Sequence, residues 1–223
     1  MKVFRWLAGG MGVLVVTLGI ILSLNALTYI NFDPTYGFLK LKQNAIATGW
    51  YLPAYYSHVL VSACILLIGF FQLSKFGRRW IRIHRYLGYF YVMGILFFAA
   101  PGGLVMSLFV NRGPWVQASF FMQGSLWILF TALAFDRIRK RDIDAHREWM
   151  WRSFSLTAAA ITLRIYIYIC SWFVDLSEPI AYAILSWMSW LPNLLAVELY
   201  LRKTRTKINP AKTAARVPVM TEG

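Results

Sequence analysis

Six apolar stretches, each close to the length that crosses a bilayer as a helix, occupy most of this 223-residue chain. A membrane-spanning helix needs about 20 apolar residues to cross about 30 Å of hydrocarbon. Hydrocarbon offers the backbone no hydrogen-bond partner, and the sequence lacks strands of alternating polarity, so each crossing must be helical. The sequence therefore predicts an all-α polytopic membrane protein with a bundle of six transmembrane helices. The stretches run from Leu7 to Ile30, Tyr51 to Ser74, Tyr86 to Val110, Val116 to Phe135, Met150 to Val174 and Ile180 to Leu201.

The basic residues fall in alternate gaps between these stretches. Nineteen of the 23 Lys and Arg residues lie before residue 7, in 75–85, in 137–152 or after residue 201. The other gaps contain Lys40, Lys42 and Arg112, and Arg164 lies within the fifth stretch. Because positive loops stay on the cytoplasmic side, we expect both termini in the cytoplasm and a multi-pass protein of the inner membrane. We expect the first stretch to remain as an uncleaved anchor, since it is long for a signal peptide.

The formal net charge of +14 is spread over short segments, with no soluble domain that could present it to nucleic acid. We therefore expect anionic lipid at the cytoplasmic face as a partner, and no nucleic acid. Residues 1–201 are predicted to form one transmembrane domain, and residues 202–223 a basic, disordered cytoplasmic tail. Hydrolysis is disfavoured, because the sequence shows neither a Ser/His/Asp set nor paired carboxylates at one depth.

Polar residues within predicted spans are costly in hydrocarbon and usually face the bundle interior, which makes them useful functional indicators. Helical spacing places three such groups on one face each, and these faces contain all three histidines. A rise of about 1.5 Å per residue puts His58 and Arg164 at matching height in the outer third, and His84 and His146 at the cytoplasmic boundary. The groups are His58, Ser62, Gly69 and Gln72; His84, Gly88 and Tyr91; and His146, Ser153, Thr157 and Arg164.

The inner pair of histidines, His84 and His146, predicts a haem b site with these two side chains as the iron ligands. Gly88, one turn after His84, would let a flat macrocycle approach the backbone. Arg85 and Arg152 would pair with the haem propionates. An alternative for both histidines is a position at a wet helix start, beside arginines that bind lipid phosphate.

A second site is predicted nearer the outer surface. Arg164 carries a charge in a span whose outer half contains no acidic residue, so it needs carbonyl groups, water or a bound anion. Together with His58 and Gln72 it would form an anion or quinone site. The alternative for His58 is a hydrogen bond between helices.

Two segments of this sequence, HRYLGYFY at His84–Tyr91 and HREWMWRS at His146–Ser153, resemble a bacterial membrane-protein family known as domain of unknown function 2306 (DUF2306). The resemblance covers about residues 56–201. It implies the membrane fold and marks the same residues, without implying a reaction.

A looser likeness is to six-helix cytochromes of the b561 kind, which hold two haems between paired helices. This likeness implies that His84 and His146 form the inner pair of haem ligands, between the third and fifth helices. His58 on the second span would supply half of the outer pair, whose other ligand would come from the fourth span. The fourth span contains no histidine, and Met122 is its only side chain near the needed height that can ligate iron. A protein with one haem, or a relative without haem, therefore fits the likeness better than a protein with two.

Three functions are consistent with these residues. The first is a b-type haem protein that transfers electrons to or from a quinol. The second is a transporter or permease that binds an anionic small molecule at Arg164, with helix breaks at Pro101-Gly102-Gly103 and Pro192 lining its cavity. The third is a non-catalytic membrane assembly protein whose histidines stabilise helix packing.

Overall fold

The computed structural model describes residues 2–176 and 178–208, and the regular elements within them are all helical. Short 3-10 helices at Thr28–Asn31 and Gly37–Lys42 and a π-helical turn at Ile95–Ala99 complete the secondary structure. The predicted all-α class is therefore confirmed. The α-helices are α1 Lys2–Leu27, α2 Gln43–Ile46, α3 Tyr51–Leu73, α4 Lys75–Arg79, α5 Ile81–Gly94, α6 Ala100–Leu108, α7 Pro114–Arg139, α8 Ile143–Cys170, α9 Pro179–Met188 and α10 Leu191–Ile208.

Six helical segments of the described chain are long and apolar enough to cross a membrane, as predicted. The third and fifth begin earlier than expected, so that His84 and His146 lie within helices. The sixth continues as helix α10 to Ile208, past the predicted border of the tail at 202, and residues 209–223 of that tail lie outside the described residues. The spans are Gly12–Asn31, Tyr51–Leu73, Ile81–Leu108, Pro114–Arg139, Ile143–Cys170 and Pro179–Arg205.

The fifth span, α8, occupies the centre of the bundle. It packs against α7 and α10 along its length and also contacts α1, α3 and α9. Spans one to four follow one another around it, since α3 packs against α1 and the third span, and the third span packs against α7. We call the end with the connections 74–80 and 140–142 the basic end, and the end with the connections 28–50, 109–113 and 171–176 the far end.

A buried network of hydroxyl groups joins spans three, four and five. The Tyr91 hydroxyl lies 3.2 Å from Ser153 Oγ and 3.0 Å from Thr157 Oγ1, and Trp127 Nε1 donates to Thr157 Oγ1 at 3.1 Å. Thr131 Oγ1 lies 2.8 Å from Ser153 Oγ. The polar faces predicted on the third and fifth spans thus meet inside the protein, where their hydroxyl groups form hydrogen bonds with one another.

The helix of the third span continues through the predicted break at Pro101-Gly102-Gly103, and its irregularity lies just before these residues. A wider π-helical turn at Ile95–Ala99 precedes Pro101, whose ring nitrogen cannot donate a helical hydrogen bond. Two side chains of α3 bond the carbonyl groups at this turn: Ser57 Oγ donates to Phe98 at 2.9 Å, and His58 Nδ1 lies 2.6 Å from the Ala99 oxygen. Side chains of the neighbouring span therefore supply hydrogen bonds to the carbonyl groups of the π-helical turn.

The sixth span is interrupted between α9 and α10, next to Pro192 as predicted. Trp190 at the break is buried, and its Nε1 donates to Ser119 Oγ at 3.0 Å. Asn193 Nδ2 donates to Thr162 Oγ1 on α8 at 2.9 Å. Hydrogen bonds to spans four and five thus hold the break in place.

Close packing of spans two and three predicts that Gly102→Ala destabilises the protein. A Cβ at Gly102 would lie 2.6 Å from the Ala54 carbonyl oxygen and 3.0 Å from the His58 backbone nitrogen, and backbone cannot move aside cheaply. We expect a loss of about 1–3 kcal/mol, the usual cost of overpacking. Thermal unfolding in detergent measures the loss. Gly12→Ala is the control, because a Cβ there meets nothing within 4 Å; equal stability of the two variants would contradict the prediction.

Candidate functional site

Three basic side chains lie near one another at the far end of the bundle. The Arg112 guanidinium stacks on the Tyr182 ring, 4.9 Å from the ring centroid. The charge of Arg164 acts on the hydroxyl group of the same tyrosine, and the charge of Arg112 acts on Lys42. The charges of Arg112 and Arg164 thus both act on one tyrosine of α9, and Lys42 lies beside Arg112.

Lys42 and Arg112 are held in place by backbone oxygens. Lys42 Nζ donates to the Phe109 carbonyl at 2.9 Å, and Arg112 Nη1 donates to the Leu176 carbonyl at 2.5 Å. Burial, and secondarily the Arg112 charge, lower the pKa of the Lys42 ammonium from its ordinary value. Because neighbouring like charges repel, an anion bound between them would stabilise both.

Arg164 lies within the fifth span, six residues before the end of α8 at Cys170, which corresponds to about 9 Å of depth. Within the described ranges, 2–176 and 178–208, its guanidinium makes no hydrogen bond and no ion pair. The side chain is exposed, and its charge acts on the Tyr55 and Tyr182 hydroxyl groups. An uncompensated charge at this depth is costly, so Arg164 is the side chain best suited to bind an anion.

His58 fastens the second span to the third. Its Nδ1 lies 2.6 Å from the Ala99 oxygen, and a Cβ at Gly103 would lie 2.8 Å from that nitrogen. The alternative of a hydrogen bond between helices therefore describes the environment of this residue. The side chain of α3 on which the Arg164 charge acts is Tyr55, one turn nearer the far end.

Gln72 does not belong to a site with Arg164, contrary to the predicted grouping. It lies 14 residues after His58 on the continuous helix α3, about 21 Å nearer the basic end. Its Nε2 donates to the His84 carbonyl oxygen at 2.8 Å, and a Cβ at Gly88 would lie 3.0 Å from that nitrogen. Gln72 thus packs spans two and three together beside the predicted inner site.

The structure places His84 and His146 at the same height. Each lies seven residues before a member of the bonded pair Tyr91 and Ser153, on helices that run in the same direction. Seven residues are close to two helical turns, so both histidines share the faces of that pair, about 10 Å nearer the basic end. His146 Nδ1 lies 2.8 Å from the Ala134 oxygen. Because a carbonyl oxygen only accepts, Nδ1 carries the proton and Nε2 of the neutral ring is left as an acceptor.

Arg152 is engaged elsewhere than the predicted propionate site. It forms a bidentate ion pair with Glu198 on α10, with Nε–Oε1 and Nη2–Oε2 distances of 2.5 and 3.0 Å, and its guanidinium stacks on Trp149. Glu148 lies 3.9 Å from Arg152 and also pairs with Arg205. Arg152 therefore joins spans five and six, whereas Arg85 is exposed on α5.

The sequence prediction did not include Glu198, or the basic residues Lys42 and Arg112 at the same end of the bundle as Arg164. Glu198 is an acidic residue inside the last predicted span, and the rule that intramembrane charges pair could have linked it to Arg152. Lys42 and Arg112 carried a further signal, because they are two of the three basic residues in the predicted outer loops. Because they are far from Arg164 in the sequence, nothing in the sequence indicated that all three lie at the same end of the bundle.

Two cavities open on the surface of the bundle. The larger, of about 490 Å³, lies between the start of α7 and α9 and has Arg112 at its edge. The smaller, of about 290 Å³, lies between α3 and the third span and is lined by Val61, Met93 and Phe98 among others. Among the described residues, no group of three or more His, Cys, Asp or Glu side chains could hold a metal ion.

The six spans and the polar contacts inside their bundle define a polytopic α-helical membrane protein. The model of a family described as "Predicted membrane protein (DUF2306)" matches residues 55–201, more than half of the chain, and the protein belongs to this family. The match confirms the family resemblance stated from the sequence and includes the segments of both His84 and His146. No curated protein and no solved structure matches the chain. The family description names a membrane location and no activity.

The Arg152–Glu198 pair predicts that Arg152→Gln destabilises the bundle by about 1–3 kcal/mol, because it leaves a half-buried carboxylate without its bidentate partner. Thermal unfolding in detergent measures the effect. Arg147→Gln is the matched control on the same helix, since the Arg147 side chain is 61% exposed and lies 4.0 Å from Asp144; its effect is expected within about 0.5 kcal/mol. An equal loss in both variants would show that the pair with Glu198 contributes nothing specific.

Proposed function

We propose that this protein binds an anionic small molecule at Arg164, in the manner of a transporter or permease. The observation that supports this most is the position of Arg164: a permanent charge within a span, without an ion pair or hydrogen bond to a described residue. A bound anion supplies the missing counter-charge. The planar guanidinium suits a carboxylate or phosphate group, which it binds through two parallel hydrogen bonds.

The proposal includes an orientation in the inner membrane. The basic end lies in the cytoplasm, because cytoplasmic loops retain Lys and Arg. The far end then faces outward, and an anion that approaches from outside meets Lys42 and Arg112 before Arg164. These two charges raise the local concentration of anions near the deeper site.

The interrupted spans also support this proposal. Transporters often build their binding sites beside discontinuous helices, whose breaks expose backbone groups and allow parts of a span to move. Here the sixth span is interrupted between α9 and α10, and the third contains a π-helical turn at Ile95–Ala99. Asn193, at the break in the sixth span, bonds Thr162, which lies only two residues before Arg164 on α8. A change at that break would therefore act on the turn of α8 that carries Arg164.

Anion binding is tested by thermal stabilisation of the detergent-purified protein with a panel of carboxylates and phosphates. An anion at about 100 times its Kd stabilises the folded protein by about 2.7 kcal/mol. We expect Arg164→Gln to abolish this stabilisation and Arg164→Lys to retain part of it, because the charge remains. Arg85→Gln, which removes an exposed charge at the basic end, is the control.

The same variants separate the competing functions. Uptake of the stabilising anion into proteoliposomes distinguishes a transporter from a protein that only binds. If Arg164→Gln is stabilised by every anion as strongly as the unsubstituted protein, the proposed site is wrong, and the reading as a non-catalytic assembly protein remains.

A second candidate function is a b-type haem protein that exchanges electrons with a quinol. The equal heights of His84 and His146 favour it, together with the acceptor Nε2 of His146. These two side chains would hold the iron, with Gly88 allowing close approach of the ring and Arg85 available to a propionate; the haem would supply the one-electron carrier. Hydrogen bonding of His146 Nδ1 to Ala134 orients the imidazole, as in other metal-binding histidines.

The haem hypothesis is tested by oxidised and dithionite-reduced absorption spectra of protein purified from haem-supplemented cells. We expect a Soret band that is lost in His84→Ala and in His146→Ala, because each substitution removes an axial ligand. His58→Gln is expected to retain the band, since His58 lies about 21 Å nearer the far end than Gln72, which bonds the His84 carbonyl. A folded, colourless protein would rule out this candidate and leave the anion site unaffected.

A further inference from the structure

The larger cavity, between the start of α7 and α9, has the chemistry of a lipid site. Its volume of about 490 Å³ lies within the range of pockets that hold small molecules. Of the described residues that line it, Arg112 is the one with a charge, and the others are apolar. A site of this kind suits a molecule with one anionic group and a hydrocarbon chain.

The walls of the cavity face the surroundings of the bundle. Ile180 and Ile184 on α9 and Trp115 on α7 are 74%, 57% and 71% exposed, although all three lie within membrane spans. Ile180, Ile184 and Met188 follow one another at intervals of four residues, so they form a stripe about 12 Å long on one face of α9. This length covers most of one bilayer leaflet, which is about 15 Å thick.

Arg112 lies at the level where lipid headgroups would be found. It precedes the start of the fourth span at Pro114 by two residues. Its guanidinium is fixed by the Leu176 carbonyl and the Tyr182 ring, and this one hydrogen bond leaves most of its five N–H donors available. Lys42 is close enough to interact with it electrostatically, which adds a second positive charge near the rim.

We infer that this groove binds one anionic glycerophospholipid from the leaflet at the far end, with its phosphate on Arg112 and one acyl chain along the stripe of α9. The positive charge at the rim selects an anionic headgroup, and the apolar, lipid-facing wall selects a chain that enters from the bilayer. A soluble phosphate would use only the rim. This site is separate from the proposed anion site at Arg164 and does not depend on it.

The test measures retention of added lipid by native mass spectrometry, with the thermal shift as a second readout. Detergent-purified full-length protein is titrated with dioleoylphosphatidylglycerol, with dioleoylphosphatidylcholine as the zwitterionic counterpart and glycerol 3-phosphate as the headgroup alone. We expect one tightly retained phosphatidylglycerol, a much smaller effect of phosphatidylcholine and no shift with glycerol 3-phosphate. Equal retention of the two lipids, or an equal shift with the headgroup alone, would overturn the inference.

Substitutions test the two halves of the site separately. Arg112→Gln is expected to weaken retention of phosphatidylglycerol about tenfold, which corresponds to about 1.4 kcal/mol, and Arg112→Lys to restore part of it. Ala183→Trp is expected to block the groove while Arg112 remains.

Two substitutions elsewhere are the matched controls. Arg82→Gln removes an exposed charge at the basic end, and Leu129→Trp adds the same bulk at an exposed position of α7. Unfolding curves without added lipid show whether each variant is folded.

Two further outcomes complete the test. Equal losses in Arg112→Gln and Arg82→Gln would show non-specific charge attraction and contradict the site. Arg164→Gln is expected to retain phosphatidylglycerol even where it loses the stabilisation by small anions, so the two proposals fail or succeed independently.

Discussion

The need to satisfy every polar group away from water governs this bundle. In hydrocarbon a backbone or hydroxyl group has no solvent partner, so it must find one within the protein. The Tyr91 hydroxyl meets Ser153 and Thr157, and these bonds hold the third span against the fifth. The same need explains His58, whose ring nitrogen lies against the Ala99 carbonyl at the π-helical turn. A histidine in a span is therefore not by itself evidence of a metal ligand.

This constraint also explains what the sequence could predict. Apolar length alone located six spans, because only a helix of that length satisfies its own backbone across a bilayer. Helical spacing predicted inward faces that contain Tyr91, Ser153 and Thr157, and these faces do meet. Proline chemistry predicted the interruption beside Pro192, whereas at Pro101 the helix continues and only widens into a π-helical turn just before it. All of these features depend on residues close together in the chain.

The sequence could not predict in the same way which residue on another helix each polar side chain contacts. Helical spacing states which residues share a face, but it does not state which neighbouring helix that face meets. Arg152 pairs with Glu198, 46 residues away, because the sixth span packs beside the fifth. Gln72 bonds the His84 carbonyl because spans two and three approach each other at the basic end. Both contacts follow from the order of helices around α8, which composition and periodicity leave open.

The contrast between the two ends of the bundle bears on function. Near the basic end, Arg152 is neutralised by Glu198, and this end needs no ligand for that charge. At the far end, Lys42 and Arg112 bond only carbonyl groups, and carbonyls orient a cation without cancelling its charge. Arg164 lies deeper still, without such a contact to the described residues. The charges of Arg112 and Arg164 both act on Tyr182 of α9, and Lys42 lies beside Arg112. In the two proposals depth separates the ligands, because Arg112 at the start of the fourth span would meet a lipid phosphate and Arg164, within the fifth span, a small anion.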